Sequence, residues 1–335
     1  MQRGVLLTFD VECSMGGAWA DPALRPVPPA RAIWGEYGGQ RLGLPLIVEL
    51  LARHGLAATF FVEAFTDEQG FPGEMERVCH YLMEHGQDVQ LHIHPGHHRY
   101  GLARLGRAPL QPGTDQMADL PPAAQHALLQ QGTERMRRWT GQPAVAFRAG
   151  NMGASEETLR QVETAGLLID SSYTFPYAGG QCRFPPAEPY NGSNWYGNVL
   201  ELALSGFRNL PLPGFHWAKP LDLMGVSFEE CRNAIERICG AGADAVVILH
   251  SFSLLKVRNA QYDDGRPNRI VTRRFRRLCE WLGQRSDLPA YTFSQLARAA
   301  RIGQYEAARV PPCRLTHPRS IVRKAVQAWN GLYLT

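Results

Sequence analysis

Short apolar runs recur along this chain, with stretches of helical spacing between them. Residues 5–9 are apolar and meet Asp10 at once. Residues 57–62 are β-branched and aromatic, as a buried strand should be. Residues 88–94 alternate apolar and polar, residues 144–148 form a short apolar run, and residues 245–250 form a stronger one. Helical patterns fall between these runs, over 44–54, 75–84, 121–140, 155–165, 228–239, 272–284 and 294–300. The first two end at Gly55 and at His85-Gly86, which are stop signals, and the fourth opens on Ser155 as a capping residue. Strand–helix alternation of this kind predicts a parallel sheet, open or closed into a barrel. Residues 16–43 and 177–197 break the pattern and read as long loops rich in Gly, Pro or Asn and aromatics.

Composition narrows the picture only a little. The chain has 335 residues, 44% hydrophobic and 20% charged, so it can bury a large core without staples. A net charge of +4 is mild and does not point to nucleic acid. Seven cysteines without a CxxC pair argue against a disulfide framework or a structural zinc module and for reduced thiols in a cytoplasmic protein. Cys13, beside the chemistry described below, reads as a buried structural thiol. No apolar run is long enough to cross a membrane. The N-terminus reads as a first strand and not as a signal peptide, because Asp10 and Glu12 fall inside the apolar region that a signal needs. We expect a barrel over residues 1–303 and a basic tail over 304–335. That tail carries Arg314, Arg319, Val322, Arg323, Lys324, Val326 and Trp329. It reads as a helix packed on the barrel; the sharper alternative is weak contact with an anionic membrane surface.

The unusual polar residues sit at the ends of strands. The first strand runs into Asp10-Val11-Glu12, the third into His92-Ile93-His94, the fourth into Arg148 and the last long one into His250. In a parallel α/β barrel the C-terminal strand ends carry the active site. Residues two apart on an extended chain face the same way, so each pair converges. Two imidazoles and a carboxylate make a three-ligand metal site with an open position, and a second carboxylate beside it suits a general base. Solvated strand ends are the plain alternative for each pair. It is weaker for the histidines, because His97 and His98 follow at once. Arg148 on a buried strand needs a carboxylate, and Asp170 is its nearest candidate in the sequence.

Taken in order, these residues resemble the motifs of the NodB-homology polysaccharide deacetylases, carbohydrate esterase family four. Thr8-Phe9-Asp10-Val11-Glu12 is similar to the family's first motif, in which the first acid is the general base and the later one binds metal. Ala58-Thr59-Phe60-Phe61 matches a family strand. His92 takes the place of the first metal-binding histidine. The second is usually four residues on, where this chain has Gly96; His94 is its replacement, with His98 held in reserve. Phe147-Arg148-Ala149-Gly150 resembles the third motif, whose Arg orients the base. Asp170-Ser171-Ser172-Tyr173 resembles the fourth, which lines the groove and supports that Arg. Ile248-Leu249-His250 resembles the fifth, whose His is the general acid. The resemblance spans roughly residues 4 to 300 and implies a distorted (β/α)7 barrel of the NodB-homology type.

It also implies an activity. A divalent metal, zinc by preference, would sit on Glu12, His92 and His94. Asp10, Arg148, Asp170 and His250 would then remove an acetyl group from an amino sugar. A cytoplasmic setting, peripheral to the inner membrane, suits a nucleotide- or lipid-linked precursor of a bacterial surface polysaccharide such as lipopolysaccharide or capsule. The aromatics Trp19, Trp34, Tyr37, Tyr190, Trp195 and Tyr196 suit sugar faces and equally suit a cap on the barrel mouth. Two alternatives stand beside this expectation: a cyclic-amide or other small-amide hydrolase on the same fold, and a catalytically inactive carbohydrate-binding protein.

Overall fold

The apolar runs become neighbouring strands of one nine-stranded sheet. In chain order these are β1 (Val5–Val11), β2 (Thr59–Glu63), β3 (Asp88–Ile93), β4 (Ala146–Ala149), β5 (Ile169–Asp170), β6 (Asn191–Tyr196), β7 (Val199–Leu202), β8 (Ala245–His250) and β9 (Arg309–Val310). Across the sheet the order is β8-β1-β2-β3-β4-β5-β7-β6-β9. From β8 through β7 every pairing is parallel, while β6 and β9 add antiparallel strands at one edge. The computed structural model describes residues 1–21, 23–108, 113–184, 188–209 and 218–315.

All seven residues of β1 are buried, as expected of a strand covered on both faces. The helices α1 (Leu44–Ala52), α2 (Glu74–Glu84), α3 (Pro95–Arg104), α4 (Pro122–Thr140), α5 (Glu156–Thr164), α6 (Phe228–Gly240), α7 (Arg269–Gly283) and α8 (Phe293–Arg301) lie between and after the strands. Capping boxes at Ser155, Ser227 and Thr292 start α5, α6 and α8. Gly132, a weak point in the helical pattern of α4, is a close-approach site. A Cβ there would come within 2.9 Å of Leu91 on β3.

The expectation was a distorted (β/α)7 barrel of α/β class; the fold is of that type, its parallel-rich sheet curled into a half-barrel. Its gap lies beside β8 and is bridged by irregular chain: Ser205 Oγ accepts from Val246 N at 2.9 Å, and Leu221 O accepts from Ile248 N at 3.0 Å. Residues 191–196, expected as loop, are instead strand β6, paired with β7 from Ser193↔Leu202 to Tyr196↔Val199. Their Asn-Gly-Ser-Asn composition hides the strand, which tertiary pairing imposes. The loop after β1 holds one helical turn (Pro29–Ala32) and a two-rung ladder of Glu36–Tyr37 with Gln40–Arg41. Cys313–Arg314 pairs with Gly206–Arg208. Tail residues Arg319, Val322, Arg323, Lys324, Val326 and Trp329 lie outside the described residues. Among the described residues no helix is long and apolar enough to cross a membrane. None of the cysteines is paired; Cys13 is buried, and burial, with Glu63 and Glu12 adding to it, pushes its thiol well up.

Candidate active site

Parallel register brings the polar strand ends level with one another. Asp10 on β1 pairs with His250 on β8 and with Phe61 on β2. Glu63 on β2 pairs with His92 on β3, and His92 pairs with Arg148 on β4. Glu12 follows β1 by one residue and His94 follows β3 by one, so each pair keeps one facing.

Glu12, His92 and His94 meet. One ligand atom from each lies within 4.8 Å of the other two. Glu12 Oε2 is 2.6 Å from His94 Nε2 and 3.3 Å from His92 Nε2. That oxygen is buried, yet it makes no directed hydrogen bond to either ring or to any other group. Three acceptor-capable atoms crowded around one point, one of them an orphaned carboxylate oxygen, fit a divalent cation; a carboxylate and two imidazoles are a zinc-type donor set. Burial alone would push the Glu12 carboxyl up, but His94 and His92 hold it well below the usual carboxylate range.

The far side of each ring is also committed. His92 Nδ1 donates to the backbone oxygen of Arg148 at 2.8 Å. His94 Nδ1 lies 2.6 Å from Asp115 Oδ2, and Asp115 also accepts from Gly96 N at 2.8 Å and from Asn151 Nδ2 at 3.0 Å. Gly150 lets the His94 ring sit there, since a Cβ at position 150 would come within 2.5 Å of it. His97 stacks on His94 with ring centres 4.8 Å apart and faces Glu63 at 3.4 Å. His98 turns to Glu68 at 3.0 Å and stands outside the three-ligand group.

Asp10 is the partner of Arg148. Arg148 is fully buried and donates from Nη1 to Asp10 Oδ1 at 2.7 Å and to Thr8 Oγ1 at 3.0 Å, and from Nε to Ser171 O at 3.1 Å. The carboxylate expected to pair with it, Asp170, feels its charge but hydrogen-bonds elsewhere. Asp170 Oδ1 accepts from Ser172 N at 2.9 Å, and the carboxyl faces Glu201 across the β5–β7 rung. The reason is register: Arg148 reaches inward across Phe61, over whose ring it lies at 4.1 Å, while Asp170 turns toward β7. Burial and the neighbouring Asp170 charge raise the Glu201 carboxyl well above its usual value.

His250 lines the same cleft, a cavity of about 200 Å³ that also contains Asp10, Glu12, His92, His94 and Asp222. His250 Nε2 is 4.0 Å from Glu12 Oε1, and its ring stacks on Phe252 at 4.9 Å. Burial pushes the Asp222 carboxyl up, and neighbouring His250 opposes that push. Asn151 and Met152, also in the wall, hold left-handed backbone at φ 55°. For non-glycine residues this is a strained conformation of the kind that collects at functional sites. Asp115, Asp222 and Glu201 were not singled out from the sequence; no spacing links them to the strand-end pairs. Of the aromatics proposed for sugar faces, Trp19 and Trp195 are exposed, whereas Trp34 and Tyr190 are buried.

No family profile and no curated protein matches the chain by sequence. Solved structures share its fold. A protein of Mycobacterium smegmatis assigned as a polysaccharide deacetylase superposes with a TM-score of 0.53 at 17% identity, covering 94% of this chain and 93% of that one. The Puue allantoinase superposes with a TM-score of 0.54 at 14% identity, covering 90% and 91%.

Proposed function

We propose that this chain is a metal-dependent deacetylase that hydrolyses the amide of an N-acetylated amino sugar, releasing acetate and a free amine. The observation that carries this is the convergence of Glu12, His92 and His94 beside Asp10 and His250 in one cleft. Glu12, His92 and His94 would hold a zinc ion, which when bound would supply Lewis acidity toward the carbonyl and a lowered pKa for water. Asp10, aimed by Arg148, takes the proton of the attacking water. His250, across the cleft and beside Asp222, gives a proton to the leaving amine. Asp170 keeps the Ser171–Ser172 turn in place, and Ser171 in turn holds Arg148. The substrate is a nucleotide- or lipid-linked precursor of a bacterial surface polysaccharide, handled in the cytoplasm at the inner-membrane face.

A second reading is supported by the fold shared with an allantoinase: hydrolysis of a cyclic or other small amide by the same groups. Purified protein loaded with zinc separates the two. Acetate released from acetylated sugar precursors, falling at least ~10²-fold in rate with Asp10→Asn, supports the deacetylase. Ring opening of a cyclic amide without acetate release favours the second reading. Full activity in Asp10→Asn removes Asp10 as the base.

A further inference from the structure

The two histidines of the candidate metal centre are backed differently. His92 leans on a neutral backbone carbonyl, whereas His94 leans on the carboxylate of Asp115 at 2.6 Å. Asp115 comes from the connection between α3 and α4, 21 residues beyond His94 in sequence, and its other contacts hold it in place. Gly96 N donates to Oδ1 at 2.8 Å, and the Asn151 amide, on its left-handed backbone, donates to Oδ2 at 3.0 Å. Position 96 has no side chain, and a Cβ there would come within 2.5 Å of Asp115 Oδ1. Three separate features, a glycine, a strained asparagine and a histidine, thus converge on one carboxylate.

Charge counting gives that carboxylate a purpose. Asp10 is neutralised by Arg148 in a buried pair. Among the three ligands only Glu12 is anionic, which leaves a divalent cation half-balanced in a site where His92 is 1% and His94 7% exposed. Asp115 supplies the second negative charge, one imidazole removed from the ion. An imidazole that donates Nδ1–H to a carboxylate is held in one tautomer, with the Nε2 lone pair facing the ion, and is a stronger ligand.

We infer that Asp115 is a positioning residue of the metal centre: it orients His94 through Nδ1 and completes the charge balance of the bound cation. The inference rests on the metal-dependent reading above. Its test is zinc affinity, measured on metal-stripped protein by competition with a chromophoric chelator. Asp115→Ala weakens zinc binding about 10- to 100-fold. Asp115→Asn keeps the shape and an acceptor but loses the charge, and so weakens it less. Cobalt loaded in place of zinc gives a visible absorption band that shifts in both variants, which a purely structural contact would not produce. Should Asp115→Ala fail to fold by circular dichroism, the near-isosteric Asp115→Asn decides. Wild-type affinity and an unshifted cobalt band in the variants overturn the role of Asp115 and leave the deacetylase reading standing. A wild-type protein that binds no divalent ion overturns both.

Discussion

A buried carboxylate survives only with a counter-charge, a metal or a proton. Asp10 has Arg148, Glu12 has two imidazoles and the geometry for a cation, and Glu201, buried opposite Asp170, has its carboxyl raised well above its usual value. The last pair makes a pH prediction. The Glu201 carboxyl is raised in the fold, so above the ordinary carboxylate range the unfolded chain releases a proton that the native state retains. Stability therefore declines as pH rises from the usual carboxylate value through the raised one. Glu201→Gln keeps an acceptor for Tyr173 N, which now donates to Oε1 at 2.8 Å, and removes the titration. Denaturant unfolding at about pH 5 and about pH 8 should show a flatter profile for the variant than for wild type, with its largest relative gain at the higher pH. An identical slope in both proteins would count against a raised Glu201 carboxyl. At this scale the strand-end pairs were legible, because two-residue spacing is a local property. Asp115 and Glu201 were not, because each acts through a neighbour far away in sequence.

Elements position these residues by register and by close approach. Parallel pairing sets Asp10 level with His250 and His92 level with Arg148, so a one-residue slip would turn the side chains to the opposite face. At the end of β4, the run Ala149-Gly150-Asn151 brings the chain against the His94 ring. Gly150→Ala puts a methyl group within about 2.5 Å of that ring, which is already pinned by the His97 stack and by Asp115. The ring must rotate away from Glu12. The expected result is zinc affinity at least about tenfold weaker with the fold retained, read by metal content and circular dichroism. Unchanged metal content would mean that the ring adapts in place. The apolar strands and capped helices were readable because burial and caps leave periodic marks. Strand β6 was missed because its Asn- and Gly-rich sequence carries no such mark, and only pairing with β7 makes it a strand.

For the whole molecule, the candidate metal centre links elements far apart in sequence, since Glu12 follows β1 while His92 and His94 belong to the end of β3. A ligand that binds only the native state stabilises it by mass action. Adding zinc to metal-stripped protein at about 100 times its Kd should raise stability by about 2.7 kcal/mol, seen as a higher Tm, and a chelator should reverse the change. A Tm indifferent to zinc would disconnect these residues from any metal. The α/β class, the strand-end location of the acids and histidines, and the facing of each pair followed from the sequence alone, because hydrophobic periodicity and two-residue spacing are local. Which carboxylate Arg148 holds, where the curled sheet is bridged beside β8, and which acid stands behind His94 were decided only by the tertiary structure. Those outcomes depend on how residues distant along the chain meet in space, and that meeting is set by register and packing.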